Sequence, residues 1–243
     1  SDLAKIHQGF QWVLDPDGDA STNDAPDIVN GSWVLQGSEN ECVGEFADDI
    51  AALRAVDIAV VFAAGNSGSG SDTSMEPAND PGSLSVGAID PARRVTSSSS
   101  RGPSACNQDI YPRVAAPGKD VLTAGLTSNG ASPTAYAFGT GTSFAAPHVA
   151  GVMALLKSAV PSATMAEIEA AVEQGAFDLG AVGADNDSGA GLVDVVNAFF
   201  ALDSEPPPPP PSDADLDGVP DASDSCPNTP PGDTVDASGC SAS

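Results

Sequence analysis

The chain has 243 residues, and its 34 acidic and 8 basic side chains give a formal net charge of -26. This charge repels phosphate backbones and anionic lipid, which argues against nucleic acid and membrane surfaces as partners. The sequence has no run of about 18 apolar residues suited to membrane insertion, and its first residues lack a signal-peptide pattern. Its length and apolar content suit one sizeable α/β core with a small second unit.

Four cysteines fall as two pairs along the chain, Cys42 with Cys106 and Cys226 with Cys240. An even count together with few lysines favours an oxidising compartment, and hence a secreted, extracellular protein. Four cysteines allow three connectivities, so the pairing stays open. Four buried free thiols in a cytosolic protein are the alternative.

Hydrophobic periodicity predicts alternating helices and strands through the first two hundred residues. The predicted helices are Leu3–Leu14, Val43–Val56, Thr142–Ala159, Ala163–Gln174 and a last helix that opens at Gly191–Asp194 and runs to about Leu202. The predicted strands are Asp27–Trp33, Asp57–Ala64, Ser83–Ala88, Arg113–Ala116 and Asp120–Ala124, with a hairpin turn around Asn129-Gly130. A strand, helix, strand order and a continuous apolar strand favour a mostly parallel sheet, so we expect a three-layer α/β/α sandwich.

Six consecutive prolines, Pro206–Pro211, mark the clearest domain boundary in the chain. As a polyproline II rod they span roughly 19 Å and hold two bodies apart. We therefore expect a large domain over residues 1–203, a Pro-rich linker over 204–212 and a small second domain over 213–243.

Ser143 follows a glycine-rich turn and opens a helix of small, apolar residues within Gly139–Gly151. The positive end of a helix and its unpaired amides favour negative charge. An oxyanion formed by attack of Ser143 could therefore accept a hydrogen bond from the Ser143 N–H. Taken alone, the same position is also explained by a helix N-cap.

Asn66 offers a second hydrogen-bond donor, because it lies in the turn that follows a buried strand. Ligands bind at the carboxyl edge of open α/β sheets, where such turns lie. Taken alone, an Asn-Ser-Gly sequence after a strand is simply a turn.

Together these segments resemble the subtilisin-like (S8) serine protease family. The pattern G-T-S-x-A-x-P-H at Gly141–His148 resembles the nucleophile motif of the family, and A-A-G-N-S-G at Ala63–Gly68 resembles its oxyanion-hole loop. The likeness covers roughly Asp2 to Leu202. Four further segments resemble stretches of the family: Pro77–Asp80, Ser85–Asp90, Ser99–Pro103 and Ala115–Gly118.

The resemblance implies a serine endopeptidase acting on protein or peptide substrates, with no cofactor needed for the chemistry. Ser143 would attack the peptide carbonyl and Asn66 would stabilise the oxyanion through its side-chain amide. Members of the family commonly have Gly at the position of Val34. The bulkier valine side chain could therefore narrow a specificity pocket. The segments that match the family's substrate-binding strands are Ser32, Trp33, Val34 and Ala63, Ala64, Gly65.

The triad Asp and His of this family precede the serine along the chain, and neither of their signatures occurs here. The chain begins abruptly at Ser1 without Met, so we expect upstream sequence, lost by cleavage or truncation, to carry them. The surroundings of His7 have nothing in common with the histidine motif of the family, and His148 belongs to the serine motif. Because serine without a base is a weak nucleophile, we expect this chain alone to be essentially inactive.

A calcium-binding loop is predicted after the prolines. Aspartates occupy loop positions 1, 3, 5, 9 and 12, and Gly218 occupies position 6, where a Ca²⁺ loop turns sharply. With Cys226 and Cys240, the segment resembles a thrombospondin type 3 repeat, in which such aspartates bind calcium. A solvated acidic tail is the alternative. The predicted ligands are Asp213, Asp215, Asp217, Val219, Asp221 and Asp224.

Two other functions remain open. A decayed protease fold could serve as a non-catalytic binding or adhesion module, with association to a cell surface through modules beyond the carboxyl terminus. Retention of both Ser143 and Asn66 favours the enzyme, since a decayed site need keep neither. A third reading makes the calcium tail the functional part, which leaves both serine-site motifs unexplained.

One such repeat has almost no apolar core, so Ca²⁺ and a Cys226–Cys240 bridge would have to supply its order. We expect a calcium chelator to speed cleavage by an added protease within residues 213–243. The rate is measured by mass spectrometry of the fragments. The D215N/D217N variant with Ca²⁺ present should be cleaved as fast as the unaltered protein is cleaved in the presence of the chelator. A rate that does not respond to the chelator would contradict the calcium assignment.

Overall fold

The computed structural model divides the chain into two compact units, Ser1–Asp203 and Ser204–Ser243. The predicted ligands Asp213, Asp215, Asp217, Asp221 and Asp224, the linker 204–212 and the Asn129-Gly130 turn lie outside the described residues, while Val219 lies in a bend. The structure describes residues 3–19, 21–126 and 135–202 of the first unit, and 219, 223, 225–229, 235, 236, 238, 240 and 241 of the second.

A four-stranded parallel sheet forms the centre of the first unit. Its strands follow the chain order and are β1 (Ile28–Gly31), β2 (Ala59–Ala63), β3 (Leu84–Ile89) and β4 (Val114–Pro117). Every residue of β2 is buried, because both faces of this inner strand are covered. The continuous apolar run predicted this burial. A separate antiparallel pair joins β5 (Val121–Ala124) to β6 (Tyr136–Gly139).

Five helices accompany the sheet in the described residues. They are α1 (Leu3–Leu14), α2 (Ala47–Ala55), α3 (Thr142–Ala159), α4 (Met165–Gln174) and α5 (Val195–Leu202). The bounds of α1 and α3 are those that the periodicity predicts. Among the described residues, no helix combines the length and the apolar character that a membrane crossing requires.

Two hydrophobic cores cover the two faces of the sheet. Val60 and Phe62 of β2 pack with Phe46, Ile50 and Leu53 in and beside α2, together with Phe10 of α1. The alternate residues Val61 and Ala63 pack with α3, α4 and α5 on the other face. Side chains of a strand alternate between its faces, so one strand feeds both cores. This confirms the predicted α/β fold with helices on both sides of a parallel sheet.

The helix expected over Val43–Val56 begins later than predicted, at Ala47. The buried carboxylate of Glu76 accepts hydrogen bonds from the amides of Val43 (3.1 Å) and Gly44 (2.8 Å). These amides are thereby held in a loop, because a bond to a distant side chain replaces the local turn. Similarly, β1 ends at Gly31 and does not continue to Trp33.

Both cysteine pairs form disulfides, Cys42–Cys106 and Cys226–Cys240. The first closes a separation of 64 residues and the second one of 14 residues. In the chain-entropy account, closing the longer loop stabilises the folded state by roughly 4 kcal/mol. The Cys42–Cys106 bridge ties the loop before α2 to the loop before β4.

His7 on α1 forms a polar link to the segment that contains α2. Its Nδ1 lies 2.6 Å from the carboxylate of Asp49 and its Nε2 lies 3.3 Å from that of Glu45. Hydrogen bonds to Asp49 and then Glu45 raise the pKa of the His7 imidazole above its ordinary value. The protonated ring therefore joins the two helices more strongly than the neutral ring does.

The raised pKa of His7 predicts a pH-dependent contribution to stability. This contribution is fully present below the ordinary pKa of about 6.5 and disappears as pH rises through the higher pKa of the folded state. We expect H7Q to destabilise the protein more at about pH 5.5 than at about pH 9, as measured by thermal unfolding. H148Q, which alters the other histidine of the chain, is the control. An equal loss from H7Q at both pH values would contradict this role.

Candidate active site

Ser143 lies in the first turn of α3, beside the segment that follows β1. Its Oγ donates a hydrogen bond to the carbonyl of Ser32 over 3.2 Å. Ala145 and Ala146 are fully buried in the core beneath the helix. These small side chains allow the start of α3 to lie close to the sheet, which brings Ser143 to its carboxyl edge.

A proline in α3 explains a second bond between the same two residues. The carbonyl of Ser143 would ordinarily accept from the amide of residue 147, but Pro147 has no N–H. The hydroxyl of Ser32 donates to this carbonyl instead, at 2.9 Å. Ser32 and Ser143 are therefore joined in both directions, and the serine helix is fixed to the end of β1.

Gly141 caps α3 with a backbone conformation that favours glycine, at φ 144°. A Cβ at this position would lie 3.3 Å from Oδ1 of Asn66. Both the dihedral angle and the close approach explain why the motif has glycine immediately before Thr142.

Asn66 is oriented by the residue that precedes the serine. Its Oδ1 accepts from the amide of Thr142 at 3.0 Å and from the Thr142 hydroxyl at 3.3 Å. A backbone N–H requires an acceptor, which identifies this end of the side chain as the carbonyl. The amino end of the exposed Asn66 side chain is thus the end that can donate to a ligand.

The turn Gly65–Ser67 is held from both sides by Thr142 and Ser100, two residues whose individual roles the sequence does not indicate. Thr142 Oγ1 accepts from the amide of Gly65 at 3.1 Å. Ser100, which is fully buried, donates its amide to the Gly65 carbonyl (3.0 Å) and accepts from the Ser67 amide at its Oγ (3.1 Å). Thr142 belongs to the serine motif and Ser100 to the family-like segment Ser99–Pro103, but nothing local in either segment indicates a contact with this turn.

The two predicted substrate-binding segments extend from neighbouring strands. Ser32, Trp33 and Val34 follow β1 and are half-buried, whereas Ala63, Ala64 and Gly65 are buried at the end of β2. The Trp33 ring lies 5.3 Å from the Phe46 ring and 5.4 Å from the Phe62 ring, centroid to centroid. The Trp33 side chain therefore belongs to the core, and the backbone of this segment is the part available to pair with a peptide.

Both histidines have partners other than Ser143. The two ring nitrogens of His7 bond to Asp49 and Glu45, and Nδ1 of His148 lies 2.7 Å from the carbonyl of Phe144 in its own helix. Ser143 Oγ bonds to a backbone carbonyl, which cannot accept its proton during catalysis. Among the described residues, neither histidine lies beside Ser143, so Ser143 and the Asn66 turn come together there without a candidate general base.

One group of carboxylates in the described residues could hold a cation. Asp15, Asp17 and Asp24 each place an oxygen within 4.8 Å of the others, in the loop between α1 and β1. The sequence indicates only a turn at the start of this loop, not a cation site. Asp17 also accepts from the amide of Asp19 at 2.9 Å, which orders the turn.

The reciprocal bond between Ser32 and Ser143 predicts a specific double-mutant result. S32A should lower the free energy of unfolding by about 1–2 kcal/mol, because the Ser143 carbonyl loses its donor. P147A restores an amide to the helix, so S32A should cost less in the P147A background, by about 1 kcal/mol in urea unfolding. Equal costs in the two backgrounds would show that Ser32 does not replace the missing amide.

Comparisons with known proteins show what this chain is similar to. The sequence profile of the Subtilase family (peptidase S8) matches residues 2–191. Bacillopeptidase F of Bacillus subtilis (strain 168) is 36% identical over 176 residues, which cover 68% of this chain and 11% of that protein. The minor extracellular protease Vpr of the same strain is 36% identical over 112 residues, which cover 44% of this chain and 14% of that protein.

A solved structure shows the same fold. The prenylagaramide maturation protease PagA matches with a TM-score of 0.67 at 23% identity, over 83% of this chain and 68% of that one. The chain spans only a small part of the two curated relatives named above. Since the family profile covers most of the chain and the fold agrees, this chain belongs to the subtilase family of serine proteases.

Proposed function

We propose that this chain is the serine-bearing part of a subtilisin-like serine endopeptidase. The observation that supports the proposal most directly is the bond from the Thr142 amide to Oδ1 of Asn66, at 3.0 Å. It holds the Asn66 side chain against Thr142, the residue that directly precedes the proposed nucleophile Ser143. A helix N-cap or a simple turn would not require the Asn66 side chain to bond to the residue next to Ser143.

In the proposed reaction, Ser143 Oγ attacks the carbonyl carbon of the scissile peptide and passes its proton to a histidine base. The carbonyl oxygen becomes an oxyanion, which accepts hydrogen bonds from the Ser143 N–H and the Asn66 side-chain amide. Collapse of this intermediate breaks the C–N bond, and the amine leaves with the proton from the histidine. Water then hydrolyses the acyl-serine by the same steps, which regenerates Ser143.

The substrate is proposed to bind as an added strand laid out along the segments Ser32–Val34 and Ala63–Gly65. Both segments lie at the carboxyl edge of the sheet, on either side of the bonds that position Ser143 and Asn66. Val34 is half-buried, in keeping with a role as a wall that narrows the specificity pocket.

The triad Asp and His are proposed to come from the part of the protein that precedes Ser1. His7 and His148 bond to other groups, and the chain corresponds to 11% of bacillopeptidase F, so residues outside it can complete the site. Loss of the triad histidine costs about 10⁶ in kcat in subtilisin. This chain by itself is accordingly expected to be essentially inactive.

The remaining proposals concern the setting of the enzyme. Two disulfides and the resemblance to an extracellular protease support secretion.

The proposed domain arrangement is a peptidase domain over 1–203, a linker over 204–212 and a calcium-binding repeat over 213–243. The donor set of the repeat consists of five carboxylates and the carbonyl of Val219, which suits Ca²⁺. The ion would order the repeat and supply nothing to the reaction.

The decisive experiment uses the protein expressed from its complete reading frame, with a peptide substrate. S143A should abolish hydrolysis, and N66A should lower kcat by about 10²–10³ with a small effect on KM, because the Asn66 contact forms only in the transition state. N23A, which alters an exposed asparagine outside the site, is the matched control.

Two outcomes would contradict the proposal. If the complete protein shows no Ser143-dependent hydrolysis yet binds peptides, the protein is a binding module built on a protease fold. If residues 1–243 alone hydrolyse the peptide in a Ser143-dependent manner, the base does not come from the upstream part.

A further inference from the structure

The Tyr111 hydroxyl lies between two backbone segments that flank the candidate site. Tyr111 is 1% exposed. Its hydroxyl donates to the carbonyl of Ala64 and accepts from the amide of Met75 at 3.3 Å. Burial raises the pKa of the phenol, so the hydroxyl keeps its proton and remains a donor.

The hydrogen bond from Tyr111 to the Ala64 carbonyl lies at the end of β2, where the hydrogen bonds to the neighbouring strand stop. The amide of Ala64 donates to the carbonyl of Val86 at 3.0 Å, and the chain then leaves β2 for the turn that carries Asn66. The next carbonyl, that of Gly65, is held by Ser100, and Asn66 itself is held by Thr142. The Tyr111 hydroxyl is therefore the first in a series of side-chain and loop contacts that replace the sheet in positioning this turn.

Tyr111 is itself held in place from two directions. Its amide donates to Oδ1 of Asn186 at 3.2 Å, and the carbonyl of Asn186 accepts from Gly102 at 3.0 Å. Its ring belongs to the core that contains Phe62 of β2. The hydroxyl thus projects from a rigid base, which is what a positioning contact requires.

We propose that Tyr111 is a positioning residue that sets the place of the Ala64–Asn66 turn, and through it the Asn66 amide donor, relative to Ser143. The inference rests on the proposed function for its catalytic consequence. The structural part stands on the two hydrogen bonds alone. Y111F removes only the hydroxyl and leaves the ring, so the Ala64 carbonyl and the Met75 amide both lose a partner inside the protein.

The structural part can be tested on this chain by hydrogen exchange. Y111F should speed exchange of the amides in residues 62–68 and 73–77, with little change in the body of α3. The control is Y136F, because Tyr136 is the other tyrosine of the chain and is 70% exposed. Unchanged exchange in both segments of Y111F would overturn the proposal, whatever the activity of the protein.

The catalytic part is tested in the protein expressed from its complete reading frame. Displacement of a reacting group by about 1 Å can cost about 10²-fold in rate, so we expect Y111F to lower kcat by about 10- to 100-fold with a smaller change in KM. In the N66A background, Y111F should have little further effect on kcat, because the group that it positions is gone. The Y111F loss of thermal stability should be the same in both backgrounds.

The outcomes separate this inference from the proposed function. If Y111F lowers kcat equally with and without Asn66, Tyr111 acts on folding in general and the positioning role is wrong. If S143A and N66A leave hydrolysis unchanged, the proposed function fails, and hydrogen exchange still decides whether Tyr111 holds the turn.

Discussion

The hydrogen bonds between Thr142 and the turn after β2 are the contact on which the candidate site depends. They join two segments that are 76 residues apart in the sequence, through the Thr142 amide and hydroxyl and the side chain of Asn66. Thr142 is fully buried, so these bonds are shielded from competition with water. Core packing also joins α3 to β2, but these bonds are the ones that link the residue before Ser143 directly to the Asn66 side chain.

The start of α3 combines two local departures from an ordinary helix with one contact that compensates for the second. Gly141 takes a conformation that other residues rarely adopt, Pro147 withdraws an amide from the first turns, and Ser32 donates to the carbonyl that the proline leaves without a partner. Each departure would weaken an isolated helix. Here each one permits or requires a bond to another element, so the helix begins at a place fixed by its neighbours.

The turn after β2 is supported by contacts that come from much farther along the chain. Ser100 and Tyr111 bond to the backbone of this turn, and Tyr111 is in turn bonded to Asn186. Glu76, the residue after Met75, and the Cys42–Cys106 disulfide hold the loop that precedes α2. A parallel sheet ends in loops at its functional edge, and buried polar side chains supply the hydrogen bonds that the sheet no longer offers.

Local sequence predicts the elements that depend on near neighbours: the α/β order, the bounds of α1 and α3, and the buried strand β2. Ser143 and Asn66 become candidate site residues through the resemblance of their motifs to the subtilisin-like family, since alone each is explained by a helix cap or a turn. The end of β1 and the start of α2 are predicted less accurately. These bounds depend on the packing of Trp33 and on the hydrogen bonds of Glu76, which join segments distant in the sequence. The tertiary structure alone decided the cysteine pairing, the orientation of the Asn66 amide, and the roles of Ser32, Ser100 and Tyr111. The physical reason is that periodicity and turn preferences act over a few residues, whereas these bonds join groups that only the folded chain brings within reach.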